Sequence, residues 1–173
     1  MLLNLDVGIF NRNKSSRMKK VLIALDYDPT AQKIAEGGYS LAKSMGAEVL
    51  LLHVISDPVY YASRDYSPIM GFNGYMDVGS VQLESIEGLK DASYLYLEKT
   101  KKHLADDTIQ TLVKEGDFAD VIIKAAKEVH ADIIVIGSHS QKWLEKIVMG
   151  SVTEKVLNQT TIPLFIIPTK KRK

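Results

Sequence analysis

The chain predicts an α/β fold, a doubly wound, five-stranded parallel sheet with helices on both faces. Three observations predict it. Apolar runs without polar alternation, such as Val49-Leu50-Leu51-Leu52 and Ile133-Ile134-Val135-Ile136, read as strands buried on both faces. These runs alternate with stretches of helical period. Small, acidic or glycine residues close the runs, as at Asp26, Gly116-Asp117 and Gly137-Ser138, where the chain must turn into the next helix. The resulting order is β-α-β-α-β-α-β-α-β. Right-handed crossovers then bring every strand C-terminus to one edge, and ligands of such sheets bind there, near the point where strand order reverses.

Val21 to Leu25 is the first strand, closed by Asp26. Asp28-Pro29-Thr30 follows, with proline suited to a first helical turn and either Asp28 or Thr30 as cap. Ile34, Ala35, Leu41, Ala42 and Met45 recur at helical spacing until Gly46 stops the pattern. Gly37-Gly38 weakens that helix by about 1 kcal/mol each relative to alanine, so a close helix–sheet contact is the expected reason for them. Glu48 to Ile55 is the second strand, ended by Asp57-Pro58. Val59 to about Val81 is rich in Tyr, Gly, Ser and Pro and has no period. Its tyrosines Tyr60, Tyr61, Tyr66 and Tyr75 suit a lid or a partner surface equally. Ile86, Leu89, Ala92, Leu95, Leu97 and Leu104 outline a long amphipathic helix with Tyr94 and Tyr96 alongside. Thr108 to Val113 alternates and predicts the third strand. Asp117 then caps a helix whose inner face is Val121, Ile122, Ala125, Ala126 and Val129. Asp132 to Ile136 is the fourth strand, Gly150 to Asn158 the last helix and Pro163 to Ile167 the last strand.

Composition narrows the function classes. A chain of 173 residues is expected to form one domain with a full core. A formal charge of +1 gives no global attraction to nucleic acid or to an anionic membrane. The basic tail Lys170-Lys171-Arg172-Lys173, at the end of 169–173, reads as solvated. The absence of cysteine removes disulfides, thiolate nucleophiles and cysteine-based zinc sites, and fits a reducing cytoplasm. No apolar run approaches the roughly 20 residues of a membrane span. Residues 1–17 begin with Leu2, Leu3, Leu5, Val7, Ile9 and Phe10 and carry their positive charges afterwards, the reverse of a secretory signal. We expect them to be a mobile extension ahead of a single domain over 18–168, with an upstream start codon or a docking arm as the other options.

The segment Ile133 to Ser140, followed by Gly150-Ser151-Val152-Thr153, is the most informative in the chain. A buried strand, a small-residue turn and a helix N-terminus together can receive a phosphate chain on backbone N–H groups. Beyond that geometry, the chain resembles the universal stress protein family over nearly everything from Met18 to Pro168. The resemblance rests on the Val-Leu-Ile-Ala-Leu-Asp first strand, the Leu-Leu-His-Val second strand, Ala-Asp-Ile-Ile-Val-Ile-Gly-Ser-His, and Met149-Gly150-Ser151-Val152-Thr153-Glu154-Lys155-Val156. It implies a Rossmann-like sheet related to adenine-nucleotide hydrolases, with strand order 3-2-1-4-5. It also implies ATP binding, since the ATP-binding branch carries G-x-x-G, nine residues, then G-[S/T]. The spacing is intact here, but Ser140 stands at the second glycine. If that position needs a positive φ, serine costs roughly 1–2 kcal/mol, enough to weaken binding about tenfold or more, though it need not abolish it.

By the same resemblance Asp26 faces the adenosine, Ala24 and Leu25 help wall the base, and Val54 packs against adenine. Ile136 and Gly137 end the fourth strand beside the ribose and phosphates. His139 and Ser140 lie by the phosphates, and Gly150, Ser151 and Val152 offer N–H groups where the helix dipole favours an anion by about 0.3–1 kcal/mol. Thr153 adds a hydroxyl. Each has a plainer alternative: Asp26 as a turn residue, Val54 as core, His139 as a turn histidine. Trp143 and Leu144 suit anchors for the intervening loop, while Lys142 and Lys146 suit phosphate neutralisation or plain solvation. No convincing catalytic residue, dedicated metal site or Ser151 triad is apparent, so hydrolysis is expected to be slow and enzyme status stays open. The ligand set is ATP, with Mg²⁺ riding on the phosphates and AMP or ADP as variants. The apolar last strand, Ile162 to Ile167, is a pairing hazard if it forms an edge, and the family resemblance implies a homodimer through it. Two alternatives remain: a nucleotide-free dimer acting through protein contacts, and an ATP-pyrophosphatase-type ligase. Asp26-Tyr27-Asp28-Pro29-Thr30 counts against the second, because such ligases carry a Ser-Gly-Gly-x-Asp-Ser loop at that place.

Overall fold

A computed structural model describes residues 19–56, 86–138 and 150–169. Expectations for the extension 1–17, the Tyr-rich segment, the loop with His139, Ser140 and Trp143, and the basic tail lie outside these residues. The elements are β1 (Lys20–Leu25), α1 (Ala31–Met45), β2 (Glu48–Ile55), α2 (Ile86–His103), β3 (Gln110–Glu115), α3 (Phe118–Glu128), β4 (Ile133–Gly137), α4 (Ser151–Gln159) and β5 (Leu164–Ile167). All strands are parallel, in the order β3-β2-β1-β4-β5. This is the predicted doubly wound sheet.

Strand alternation sorts the core into two layers. Val21, Ile23, Leu25, Val49, Leu51 and Val135 meet Ile34, Ala35 and Ala42 of α1 and Tyr96 and Leu97 of α2 on one face. Leu22, Ala24, Leu50, Leu52, Val54, Ile134 and Ile136 meet Ile122 and Ala126 of α3 and Val156 of α4 on the other. The uninterrupted apolar runs are therefore explained: both faces of each central strand are covered.

The boundaries follow local chemistry. Gly46 takes a left-handed conformation, φ 60°, and its N–H bonds back to the Ala42 and Lys43 carbonyls, ending α1. Thr30 occupies the N-cap position of α1 without a side-chain cap. Asp28 instead accepts from the Thr30 N–H at 2.8 Å and the Thr30 hydroxyl at 2.7 Å, folding the turn ahead of the helix. Asp117 caps α3 as expected, accepting from the Ala119 and Asp120 N–H groups. The third strand starts two residues later than the alternation predicts. Asp106 accepts from both the N–H and the hydroxyl of Thr108, which holds Thr108 in a turn, and pairing with β2 begins only at Gln110. Gly37 and Gly38 mark the predicted close contact. A Cβ on Gly38 would stand 2.8 Å from Ile23 Cδ1, and one on Gly37 2.8 Å from Ile167 Cδ1.

Candidate functional site

The strand order reverses between β1 and β4, and there the sheet opens. Ladder pairing of β1 with β4 ends at Ile23 and Val135. Yet β1 stays paired with β2 as far as Leu25 and His53, and β4 with β5 as far as Gly137 and Ile167. The last residues of the two central strands thus follow their outer neighbours and part from each other. Parting strand ends at a switch point form the crevice in which doubly wound sheets hold ligands.

One wall of the crevice is apolar. Ala24, Val54 and Ile136 share one cluster with Val156, and Val152 packs against it. Leu25 does not join this wall. Its side chain lies in the opposite layer with α1 and α2, because adjacent strand residues point to opposite faces, so only its backbone is available to the crevice. Asp26, the next residue, is exposed, and its carboxylate accepts from the Asp28 N–H at 3.2 Å.

Helix α4 stands over the far side. Gly150 is its N-cap in extended conformation, and the Gly150 carbonyl accepts from the Glu154 N–H at 2.9 Å. The first-turn N–H groups of such a helix have no intrahelical acceptor and carry the positive end of its dipole. Ser151 is exposed and Val152 half-buried. Thr153 differs from expectation. It is 3% exposed, and its hydroxyl donates to the Gly137 carbonyl at 2.8 Å. The hydroxyl proton is therefore committed to a brace between β4 and α4. Thr153→Val keeps the shape, removes that buried bond and is expected to cost about 1–3 kcal/mol, read as a lower urea midpoint with an unchanged m-value.

Gly137 also has a packing reason beyond the one expected for it. A Cβ there would overlap Ile34 Cδ1 and stand 3.1 Å from Thr169 Cγ2, so the residue must be glycine for α1 to seat against the end of β4. Ser138 closes the same end, its N–H donating to the Ile167 carbonyl at 2.9 Å and its hydroxyl accepting from the Thr169 N–H at 3.2 Å. Lys155 is engaged elsewhere. Its ammonium lies 2.9 Å from Asp117 and 3.0 Å from Asp120; the two carboxylates push the Lys155 pKa up, and the ammonium in turn holds Asp117 below the usual carboxylate range. His139 and Ser140, on the segment joining the two sides, fall outside the described residues.

Sequence reasoning missed a buried polar cluster on the other face of the same strand ends. His53 is 2% exposed, and its Nδ1–H donates to the Leu25 carbonyl at 2.8 Å. Nε2 is buried with no hydrogen-bond partner among the described residues. Tyr27 packs on His53 with ring centroids 4.2 Å apart and planes tilted by 44°, and Tyr96 approaches Tyr27 at 5.1 Å edge-on. Tyr96 donates its hydroxyl to the Asp26 carbonyl at 2.7 Å, and Tyr27 shares a 2.7 Å bond with Ser93. Burial holds the His53 imidazole down to about 4. The signal was present: a histidine inside an otherwise apolar strand must find an acceptor if it is buried.

Comparison with known proteins agrees with the fold and the resemblance. The model of the universal stress protein family matches residues 18–168. Universal stress protein MJ0531 of Methanocaldococcus jannaschii is 32% identical over 178 residues, an alignment covering 99% of this chain and 96% of that protein. The solved structure of MJ0577, from the same organism, superposes with a TM-score of 0.66 at 26% identity, covering 89% of this chain and 98% of that one. A universal stress protein solved in complex with cAMP superposes at 0.57 with 17% identity, over 90% of this chain and all of that one, which bears on the fold alone. Among the described residues no helix is long and apolar enough to cross a membrane. The sheet order, the parted ends of β1 and β4 and the match along 18–168 agree, and the chain belongs to the universal stress protein family.

Proposed function

We propose that this chain binds an adenine nucleotide in the crevice between β1, β4 and the N-terminus of α4, and acts in a cytoplasmic stress response through its occupancy, with slow hydrolysis at most. The observation that carries this reading is the parting of β1 and β4 after Ile23 and Val135 beside a braced helix N-terminus. The donor set suits such a ligand. Ala24, Val54 and Ile136 offer small apolar surface to a base, and the exposed Asp26 carboxylate can accept from a ribose hydroxyl. The amides of Gly150, Ser151 and Val152 suit phosphate oxygens, as do Gly137, His139 and Ser140 by their place in the motif. ATP fills all three parts; AMP and ADP share the adenosine contacts, and Mg²⁺ would ride on the phosphates.

Mass spectrometry of ligand released from the purified protein identifies a resident nucleotide, and a thermal-shift titration measures its effect. A hundredfold excess over Kd adds about 2.7 kcal/mol of stability, so ATP is expected to raise Tm by several degrees. Gly150→Leu is expected to remove the shift. No shift with ATP or AMP at millimolar concentration would retire the proposal and favour the nucleotide-free alternative, for which Ser140 in place of glycine speaks.

The same proposal includes a homodimer through Ile162 to Ile167. Strand β5 ends the sheet, Phe165 is 42% exposed, and Leu164 and Ile166 are only half-buried. An apolar edge of this kind is usually covered.

A further inference from the structure

We propose that His53 and Tyr96 are positioning residues for the nucleotide, acting from the layer opposite α4 by holding the Leu25 and Asp26 carbonyls. The inference rests on the nucleotide reading above and names the residues that tune that site. Beyond Ile23, β1 has lost its ladder with β4, so the turn that carries Asp26 must be fixed by other means. Side chains supply them. His53 donates to the Leu25 carbonyl and Tyr96 to the Asp26 carbonyl, two consecutive main-chain acceptors held from two different elements, β2 and α2. Tyr27, the residue after Asp26, packs against both rings, which also meet each other edge-on at 5.8 Å, and its hydroxyl shares a bond with Ser93 of α2.

The arrangement is specific in chemistry as well as shape. A carbonyl only accepts, so the imidazole must carry its proton on Nδ1, and Nε2 is left as a buried acceptor without a donor among the described residues. Leaving a buried polar atom unpaired is unfavourable, and an apolar side chain of similar size would avoid it. Retaining histidine here makes sense if the bond to Leu25 matters more than the orphaned nitrogen. Tyr96 is buried, and its hydroxyl goes to the carbonyl of Asp26, the exposed residue that directly follows β1. The pair therefore fixes the main chain from which the Asp26 side chain projects, while the Asp28 N–H bonds the carboxylate itself.

The test compares Tyr96→Phe, His53→Leu, His53→Asn and, as a control in the same cluster, Ser93→Ala. ATP affinity is measured by calorimetry, and amide hydrogen exchange at Tyr27 and Asp28 is followed without nucleotide. Asparagine can place its side-chain N–H where Nδ1–H stands, whereas leucine cannot. Tyr96→Phe and His53→Leu are expected to weaken ATP binding about tenfold and to speed exchange in the turn of the ligand-free protein. His53→Asn is expected to restore both. Ser93→Ala is expected to lower Tm while leaving affinity within twofold. Failure of the unmodified protein to bind ATP would bring down the nucleotide reading and this inference with it. ATP binding that Tyr96→Phe and His53→Leu leave within twofold, or that Asn and Leu at position 53 weaken equally, overturns this inference alone.

Discussion

Lowering the pH from 7 to 4 is expected to remove about 3 kcal/mol of stability through His53 alone. The imidazole is wholly enclosed, and burial holds its pKa down to about 4 against an ordinary 6.5; the bond to the Leu25 carbonyl opposes the shift without cancelling it. In the unfolded chain the same ring takes up its proton as the pH falls through 6.5. Between 6.5 and 4 the unfolded state therefore binds more protons than the folded one, and stability falls with pH across that window. The contribution is complete above about pH 6.5 and gone below about pH 4. Carboxylates held low, such as Asp117, lose their contribution further into acid, and so overlap little with this window. Urea denaturation of the protein and of His53→Asn at several pH values isolates the effect, because asparagine keeps a donor for Leu25 and does not titrate. The difference in unfolding free energy between the two is expected to change by about 3 kcal/mol from pH 7 to pH 4. Parallel pH profiles would show that the ring is not enclosed as described.

The strands were legible because each central one is covered twice, so that Val49 to Leu52 and Ile133 to Ile136 needed no polar residue on either face. Sheet order was legible only through the family resemblance, since apolar runs alone do not say which strand lies beside which. The third strand was misplaced by two residues because alternation cannot distinguish a strand from an aspartate turn. Thr108 continues the pattern, but its N–H and hydroxyl belong to Asp106. For the site, residue type pointed to the C-terminal edge of the sheet but not to how side chains there are already spent. Thr153 looked like a phosphate donor and is a brace to Gly137; Leu25 looked like a wall and faces the other layer. The reason in each case is an interaction between residues distant in sequence, which no local pattern encodes. The His53, Tyr27 and Tyr96 cluster is the clearest example, because its bonds join β2 and α2 to the end of β1.

Gly38→Leu is expected to destabilise the protein by about 3 kcal/mol, whereas Gly37→Ala is expected to be close to neutral. Both substitutions gain about 1 kcal/mol of helix propensity, so the difference lies in what the new side chain meets. At Gly38, which is buried, the Cβ alone would stand 2.8 Å from Ile23 Cδ1 and 3.0 Å from Val135 Cγ1. Ile23 and Val135 are fully buried, and neither can turn aside without disturbing the core beneath. Leucine adds three more carbons to that space. At Gly37 the closest atom is the end of Ile167, on edge strand β5, where a rotamer change makes room. Urea denaturation checks both: a Gly38→Leu midpoint within error of the unmodified protein would mean that α1 does not sit as close as described. The location gives the contrast a functional consequence. Gly38 rests on Ile23 and Val135, the last paired residues of β1 and β4, and Ile34 of the same helix fills the space beside Gly137. Lifting α1 at this point moves the floor of the crevice, so a folded Gly38→Leu protein is expected to bind ATP more weakly although no substituted atom faces the ligand.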